Sequence, residues 1–392
     1  MQLDAYDFVA PAKICFGWGR RSELADLAAP LGRRAFLVCG SRTLAESGVR
    51  DELVSALESA GISVTALPVV HGEPEVADVD RIARQVRALE PDAGDFVVAI
   101  GGGSGIDFGK AIAAMATNRQ GETIADYLEG VGRGLKLDAT PLPLLAMPTT
   151  GGTGTEATKN AVISNYDPPY KKSLRSESLV PRVVLIDPEL GTGVPPAVTA
   201  ATGMDAITQL IESYISCRAR PIPQALVLGA LAGALEALPA AVADGGCRPA
   251  RERMAHAALL SGISLANSGL GLAHGVAAAL GVHARVTHGL ACAVMLPAAL
   301  RANRGVREQQ LAELAAVLLG KPFANAAAAA DALVDRIEQL CDQVEIPHRL
   351  SQLGVGREQL PAIVQCSRGN SMNGNPRTVD DQELLALLEE ML

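Results

Sequence analysis

Short apolar runs alternate with helical patterns through the first half of the chain. The strand-length runs are residues 35–39, 62–67, 96–100, 143–147 and 183–186, and helical patterns cover residues 48–60 and 76–89. Strands that alternate with helices form a mostly parallel sheet, because the connecting helices cover both of its faces. The first half is therefore predicted to be an α/β domain.

The pattern changes near residues 187–195. Beyond them, Ala and Leu recur at helical spacing, and few strand signals remain. The predicted helices are residues 198–216, 223–238, 251–268, 311–319, 324–344 and 380–392. The sequence thus predicts an α/β domain over residues 1–190 and an all-α domain over residues 191–392.

Composition and charge narrow the classes of function. Lys and Arg total 34 against 43 Asp and Glu, so the 392 residues carry a net charge of −9. An acidic chain without a basic run is not expected to bind nucleic acid. The longest evident apolar run, residues 225–235, ends at Glu236, short of the roughly 18 apolar residues of a membrane span. We therefore expect no nucleic-acid partner and no membrane partner.

The start of the chain and the cysteines indicate a cytoplasmic location. The first seven residues have neither the basic nor the apolar region of a signal peptide. The seven cysteines are odd in number and widely spaced, and they form no C-x-x-C motif. This pattern is typical of free thiols in a reducing compartment, where each cysteine acts as a small buried apolar residue.

Two loops rich in glycine and threonine follow predicted strands. Residues 101–110, GGGSGIDFGK, open a helix whose N-terminal N–H groups suit a phosphate. Their spacing is neither a Walker motif nor G-x-G-x-x-G. Residues 148–156, PTTGGTGTE, offer hydroxyl and N–H groups to phosphate, ribose or amide. The position of the first loop, directly after an apolar strand, favours nucleotide binding over a bare turn.

Three of the six histidines, His274, His283 and His288, lie within fifteen residues. In the same helical half, Asp205 and Gln209 are four residues apart and therefore share one face of a helix. A carboxylate and imidazoles from separate helices can hold iron or zinc with one position left open. The cluster leaves a metal-binding role and a structural role equally open.

In these motifs the chain resembles the iron-containing, or group III, alcohol dehydrogenases, which are related to glycerol dehydrogenase and dehydroquinate synthase. The resemblance covers almost the whole chain. Besides the two loops, it rests on residues 186–188 (IDP), 201–206 (ATGMDA), 269–274 (GLGLAH), 288–289 (HG) and 375–377 (NPR). It implies a dehydroquinate synthase-like fold, in which an N-terminal dinucleotide-binding domain and a helical C-terminal domain bind a nicotinamide cofactor and a metal in a cleft.

The resemblance also implies site residues. The metal ligands of the family are an Asp, a His four residues later, and two His that are fourteen residues apart. Asp205, His274 and His288 match three of these positions and are expected to be catalytic. Lys171 resembles a lysine that reaches the ribose. The other matching cofactor-binding positions are Gly101, Gly102, Gly103, Ser104, Asp107, Thr149, Thr150 and Thr153.

Two positions depart from the family pattern. The second ligand position is Gln209 instead of His, and the amide oxygen of Gln is a weaker ligand for iron or zinc than imidazole. A second usual His, linked in the family to proton transfer, is Ala278 here. His283 is a candidate to take over the proton transfer, and the alternative is a plain pocket or core histidine.

Cofactor choice is expected to depend on the residues after the first predicted strand. Members that prefer NAD carry an Asp there, which binds the ribose 2′-OH and repels a 2′-phosphate. Here the matching position is Gly40, followed by Ser41 and Arg42, whose hydroxyl and guanidinium suit a 2′-phosphate. We therefore expect NADP(H) to be preferred over NAD(H). The alternative is that Ser41 and Arg42 only begin a helix.

Together these features predict a metal-dependent, NAD(P)-linked alcohol dehydrogenase or aldehyde reductase that uses Fe²⁺ or Zn²⁺. The metal would polarise the oxygen of a small alcohol or aldehyde, and the nicotinamide would exchange a hydride with its carbon. The alternatives are a lyase resembling dehydroquinate synthase, a non-catalytic nucleotide-binding relic, and a metal-free reductase as in the maleylacetate reductase branch. The resemblance also implies a homodimer or a larger homo-oligomer.

Overall fold

Six parallel strands form the central sheet of an α/β unit, which comprises Ala10–Thr150 and Gly154–Gly193. The computed structural model describes residues 5–40, 42–68 and 72–392, with the backbone alone for residues 42 and 43. The strands are β1 (Lys13–Phe16), β2 (Arg34–Cys39), β3 (Ser63–Ala66), β4 (Asp95–Gly101), β5 (Leu144–Pro148), β6 (Asn160–Tyr166), β7 (Pro169–Arg175) and β8 (Val183–Ile186). The sheet order is β1-β8-β5-β4-β2-β3, and β6 and β7 pair separately as an antiparallel hairpin.

Both faces of this sheet are covered, as the apolar runs require. Phe36 and Val97 belong to one buried cluster, whereas their neighbours Leu37 and Phe96 belong to another. Successive side chains of a strand point to opposite faces, so a strand that is apolar throughout needs packing on both sides. The helices of the unit are α1 (Leu24–Ala28), α2 (Arg42–Glu46), α3 (Val49–Ser59), α4 (Val76–Ala88) and α5 (Gly103–Thr117). Short 3-10 helices are Arg20–Glu23, Ile124–Tyr127, Thr155–Ala157, Glu177–Leu179 and Pro188–Gly191.

The second unit is helical and comprises Gly151–Thr153, Val194–Leu392 and the described residues of the first nine. Its apolar core is rich in Ala and Leu contributed by most of its helices. The helices are α6 (Pro196–Ile215), α7 (Pro221–Ala243), α8 (Arg248–Ser268), α9 (Leu272–Ala284), α10 (His288–Leu319), α11 (Ala326–Gln343), α12 (Leu360–Cys366) and α13 (Asp381–Glu390). Short 3-10 helices are Leu350–Leu353, Arg357–Gln359 and Met372–Gly374.

Helix α7 is long and apolar enough to cross a membrane by length and composition. Its apolar character exceeds the run of residues 225–235 noted in the sequence, because the apolar pattern continues beyond Glu236. Val227, Leu231 and Leu238 of α7 are nevertheless fully buried within the core of the helical unit. Helices α8 and α9 pass the same test only as a pair, and they meet at an angle of 102°. A core helix passes this test as readily as a membrane span does, and 44% of the apolar window of α7 is buried.

The predicted fold class is confirmed. The five predicted strands correspond to β2, β3, β4, β5 and β8, and all five run parallel in one sheet. Strand β1 and the β6–β7 hairpin were missed, because their sequences mix polar and apolar residues without a clear run. Helix α9 and residues 288–310 of α10 were missed as well, since glycines and histidines interrupt their apolar pattern.

Candidate metal centre and cofactor loops

Four side chains converge inside the helical unit. Asp205, His274, His288 and Cys292 each offer one ligand atom, and these atoms lie within 4.8 Å of one another. His274 Nε2 is 3.1 Å from Asp205 Oδ1, and His288 Nε2 is 4.0 Å from the same oxygen. Ligand atoms of a tetrahedral zinc site, at bond lengths of about 2.0–2.3 Å, are about 3.3–3.8 Å apart. The separations, from 3.1 Å up to 4.8 Å, include this range, so the four side chains form a candidate site for a single metal ion.

The second carboxylate oxygen of Asp205 supports the same interpretation. Asp205 is fully buried, and its Oδ2 has no hydrogen-bond partner among the described residues. A buried carboxylate oxygen without a partner is unfavourable, and nearly all buried polar atoms in proteins have one. A bound cation would satisfy this oxygen. The donor set of one carboxylate, two imidazoles and one thiol therefore fits a divalent metal.

The charges within the cluster are coupled. Burial acts to raise the pKa of Asp205, but His288 and His274 outweigh it and lower that pKa below its ordinary value. Burial acts to lower the pKa of His274, but Cys292, Asp205 and Glu212 raise it well above its ordinary value. Burial raises the pKa of the Cys292 thiol to about 12, against the influence of His274.

Glu212 fixes the orientation of His274. Its Oε2 accepts a hydrogen bond from His274 Nδ1 at 2.7 Å. Its two oxygens also accept the backbone N–H groups of Gly271, Ala273 and His274 at the start of α9, at 2.7–3.4 Å. The first N–H groups of a helix have no partner within it, so Glu212 caps α9. Because Nδ1 donates to Glu212, Nε2 is the nitrogen that faces Asp205, as in carboxylate–histidine–metal arrangements.

Close backbone packing places His288 beside Asp205. A Cβ added at Gly289 would lie 2.6 Å from the carbonyl oxygen of Ala201, which precedes Asp205 on α6. Real Cβ atoms do not approach backbone atoms so closely, so only glycine allows the start of α10 to come this near α6. His288 is the first residue of α10 and is thereby held at the cluster.

A pair of asparagines supports the start of α9. Asn375 Oδ1 accepts hydrogen bonds from the Leu272 N–H at 3.2 Å and from Asn303 Nδ2 at 2.8 Å. Asn375 Nδ2 in turn donates to Asn303 Oδ1 at 2.9 Å. The NPR motif at residues 375–377 thus connects the last part of the chain to the helix that carries His274.

Two predicted site residues lie outside the four-residue cluster. Gln209 is buried one turn beyond Asp205, and its Oε1 accepts a hydrogen bond from Ser261 Oγ at 2.8 Å. His283 is nine residues after His274 on α9, which corresponds to about 13 Å along the helix axis. Its Nε2 lies 3.0 Å from Cys366 Sγ. The roles of Gln209 as a ligand and of His283 in proton transfer stay predictions.

Sequence reasoning missed two members of this site. Cys292 follows His288 by four residues, and Glu212 follows Asp205 by seven. Both spacings place the side chains on one face of a helix. The first was overlooked because each cysteine was interpreted as a small apolar residue. The second has no local signal, because a lone Glu on a helix is usually a solvated residue.

In the α/β unit, the two predicted cofactor loops leave adjacent strands of the sheet. Gly101 of β4 is in register with Pro148 of β5, and the Thr149 N–H donates to the Gly101 carbonyl at 2.9 Å. A Cβ at Gly102 would be 3.4 Å from the Thr150 side chain. Parallel strands bring their carboxyl ends to one edge, where ligands of such sheets bind. Thr149 and Thr150 belong to this unit, whereas Thr153 belongs to the helical unit.

A pocket lies at the carboxyl ends of β2 and β4, lined among others by Gly40, Pro68, Gly72, Ser104 and Gly105. Gly40 packs tightly there, because an added Cβ would lie 2.9 Å from the Gly105 Cα. This approach leaves no room for a side chain at residue 40. Ser41 lies outside the described residues, as does the side chain of Arg42.

Asp107, Lys110 and Lys171 are held by other residues of the α/β unit. Asp107 accepts hydrogen bonds from Thr155 Oγ1 at 3.0 Å and from the Val162 N–H at 3.1 Å. Lys171 forms an ion pair with Glu73, whose chain neighbours Gly72 and Pro74 line the pocket. Lys110 Nζ lies within 2.6–2.9 Å of four oxygens of Thr155, Thr158 and Asn160. Asp107 and Lys110 thus hold in place the segment of residues 155–162, which continues from the predicted cofactor loop of residues 148–156.

Comparison with known proteins agrees with this architecture. The family model for iron-containing alcohol dehydrogenase matches residues 11–188, and the model for the C-terminal part of the Fe-containing alcohol dehydrogenase family matches residues 199–392. The probable alcohol dehydrogenase EutG of Escherichia coli is 33% identical over 380 residues, which cover 97% of this chain and 92% of the relative. The NAD-dependent methanol dehydrogenase of Bacillus methanolicus is 31% identical over 388 residues, which cover 98% of this chain and 99% of the relative.

A crystal structure of 1,3-propanediol oxidoreductase superposes with a TM-score of 0.91 at 32% sequence identity, and the match covers 99% of this chain and 100% of that one. The two family models together span nearly the whole sequence, and the relatives match along their full length. The chain therefore belongs to the iron-containing alcohol dehydrogenase family.

Proposed function

We propose that this alcohol dehydrogenase interconverts a small alcohol and its aldehyde at a metal held by Asp205, His274 and His288. The convergence of these three side chains carries the proposal, and the Asp205 Oδ2, which has no hydrogen-bond partner among the described residues, supports it. The matches to both family models favour this reaction over the dehydroquinate synthase-like lyase, the metal-free reductase and the non-catalytic relic.

The protein side of the metal site is largely prearranged. A divalent metal, when bound, supplies Lewis-acid polarisation of the alcohol or aldehyde oxygen. Asp205 contributes negative charge, and His274 and His288 offer imidazole nitrogens. Glu212 accepts the Nδ1 proton of His274 and so keeps Nε2 available. Asp205, Glu212 and His274 are almost fully buried, which excludes water and limits their movement.

We assign the phosphate groups of the nicotinamide cofactor to Gly101, Gly102, Gly103 and Ser104. The cofactor, when bound, supplies or accepts the hydride. The N-terminal N–H groups of α5 favour an anion, and the glycines let its phosphate approach the backbone. Thr149, Thr150 and Thr153 are assigned to the same cofactor. Lys171 is placed at the ribose, since its partner Glu73 adjoins the pocket, and Asp107 holds the surrounding loop.

We propose that NADP(H) is preferred over NAD(H). The tight contact between Gly40 and Gly105 supports this preference, because it leaves no room for a carboxylate at residue 40. Without that carboxylate, nothing at residue 40 repels a 2′-phosphate. The hydroxyl of Ser41 and the guanidinium of Arg42 are assigned to that phosphate.

The fourth ligand and the proton path differ from the pattern that the family resemblance implies. The resemblance assigns the fourth ligand to Gln209, whose amide oxygen already accepts a hydrogen bond from Ser261. With Ala278 in place of the usual histidine, His283 remains the candidate for proton transfer. It would have to act through water, because about 13 Å of helix separates it from His274.

We further propose a homodimer or larger homo-oligomer in the cytoplasm. All seven cysteines, each of them within the described residues, are free thiols, as suits a reducing compartment. We assign dinucleotide binding to a domain of residues 1–190 and metal and substrate binding to a domain of residues 191–392.

The metal content of the isolated protein tests the function. We expect about one Fe or Zn per chain after anaerobic purification without chelator, and NADPH-dependent reduction of members of an aldehyde panel. Asp205→Ala should lose both the metal and the turnover. A native protein without metal, or an Asp205→Ala protein with undiminished metal and turnover, would contradict the proposal.

A further inference from the structure

We propose that Cys292 binds the metal as a thiolate and occupies the coordination position that the resemblance implies for residue 209. The inference rests on the proposed metal-dependent function. It concerns which side chain completes the set formed by Asp205, His274 and His288.

The placement of Cys292 on α10 is the first argument. It lies four residues after His288, so both side chains project from the same face of the first turns. Its Sγ is 3.8 Å from His288 Nε2 and within 4.8 Å of the ligand atoms of Asp205 and His274. Cys292 is fully buried, so the sulfur faces the cluster and not solvent. Helix α10 therefore supplies two donor atoms to one site.

The competing side chain, Gln209, is held by another partner. Its Oε1 accepts a hydrogen bond from Ser261 Oγ at 2.8 Å, and Ser261 lies on α8, whereas the two histidines lie on α9 and α10. An amide oxygen is also a neutral donor, whereas a thiolate is anionic and binds zinc and iron strongly.

The thiolate, not the thiol, is the form of cysteine that binds metals. On binding, the S–H bond breaks, the sulfur–metal bond forms, and the proton leaves to solvent, with no change in oxidation state.

Two spectroscopic measurements on the full-length protein test the inference without relying on turnover. The protein loaded with Co²⁺ should show a thiolate-to-cobalt charge-transfer band in the near ultraviolet. The protein loaded with Zn²⁺ should show, by X-ray absorption, one sulfur at about 2.3 Å beside nitrogen and oxygen at about 2.0–2.2 Å.

Three variants separate the candidate ligands. Cys292→Ser should lose the band and the sulfur scatterer, and it should bind Co²⁺ at least about tenfold more weakly. Cys341→Ser removes a buried thiol of the same unit outside the cluster and should keep both signals. Gln209→Ala should also keep the band. If Cys292→Ser does not fold, the sulfur scatterer of the wild-type protein decides the question alone.

The outcomes distinguish this inference from the function beneath it. A wild-type protein that binds Co²⁺ and Zn²⁺ without a charge-transfer band or a sulfur scatterer overturns the role of Cys292 and leaves metal dependence standing. A band that persists in Cys292→Ser overturns it equally. A wild-type protein that binds neither ion overturns the proposed function itself.

Discussion

The Glu212 carboxylate accepts a hydrogen bond from His274 Nδ1 at 2.7 Å and also caps the helix on which His274 lies. One side chain thus sets both the tautomer of a metal-binding imidazole and the position of its backbone. Glu212 itself is on α6, seven residues after Asp205. The two carboxylates of α6 therefore act on the same histidine from its two nitrogens.

Glu212→Gln should weaken metal binding by roughly 10–100-fold, since a neutral amide holds the imidazole and the α9 N–H groups less strongly. Competition with a chelator of known affinity measures this change. Glu313→Gln is the control, because Glu313 Oε2 accepts a hydrogen bond from the Tyr214 hydroxyl and the variant removes the same charge within the helical unit. Equal losses in both variants would contradict a specific role for Glu212.

Lys110→Met should destabilise the α/β unit by about 3–5 kcal/mol. The methionine removes the ammonium group that donates to four buried oxygens of Thr155, Thr158 and Asn160. It also removes the cation beside Asp107 and Glu156. Denaturant unfolding provides the measurement. The control Lys136→Met, at an exposed position, should change the free energy of unfolding by no more than about 0.5 kcal/mol. An equally small effect of Lys110→Met would contradict the role of Lys110 in holding the segment of Thr155, Thr158 and Asn160.

The buried carboxyl of Glu156 should make stability fall between about pH 4.5 and pH 7. Burial raises its pKa from 4.5 to about 7, against the opposing effects of a backbone hydrogen bond and Lys110. In this window the folded state retains a proton that the unfolded state releases, so unfolding becomes easier as pH rises. Each unit of pKa difference corresponds to about 1.4 kcal/mol, so above pH 7 the ionisation of Glu156 lowers the free energy of unfolding by on the order of 3 kcal/mol.

Glu156→Gln cannot ionise, so its stability relative to the wild type should increase from pH 5 to pH 8. Thermal unfolding at several pH values records the difference. For the control Glu177→Gln, at an exposed position of the same unit, the unfolding temperature should change with pH as it does for the wild type. The same change with pH in Glu156→Gln would show that Glu156 does not titrate in this window.

Ser41→Asp should shift the preference from NADPH towards NADH by roughly tenfold or more, because a carboxylate at this position would repel a 2′-phosphate and accept the ribose 2′-OH. The ratio of kcat/KM for the two cofactors measures the preference. Ser59→Asp adds the same charge at an exposed position at the end of α3 and should leave the ratio unchanged. A wild-type enzyme that already prefers NADH would contradict the assignment of Ser41 and Arg42.

The buried strands were predictable because burial on both faces demands uniform apolarity. Residues 183–186 and β8 agree residue for residue, and β4 extends the predicted run by only one residue at each end. The β6–β7 hairpin carries no such signal, because its stability depends on side chains such as Asp107 and Lys110 that reach it from elsewhere. Tertiary partners of this kind are not visible in a local pattern.

The metal site was predictable only in part for a similar reason. Asp205, His274 and His288 are chemically conspicuous residue types in largely apolar stretches of sequence. Cys292 is a small residue type common in cores, as is the equally buried Cys341. Its spacing of four residues from His288 is a weak signal, and its distance from His288 Nε2 gives that spacing meaning. Local spacing shows which side chains share a face, whereas the packing of α6, α9 and α10 decides which faces meet.

The hydrogen bond from the Leu272 N–H to Asn375 Oδ1 has a consequence for biosynthesis. Asn375, which binds the start of the helix of His274, is synthesised about a hundred residues after that helix. While the nascent chain grows on the ribosome, Asp205, His274 and His288 are all synthesised before this support. We expect metal capture to follow the synthesis of Asn375, so a chain stalled before residue 375 would carry the three proposed ligands without holding them in place.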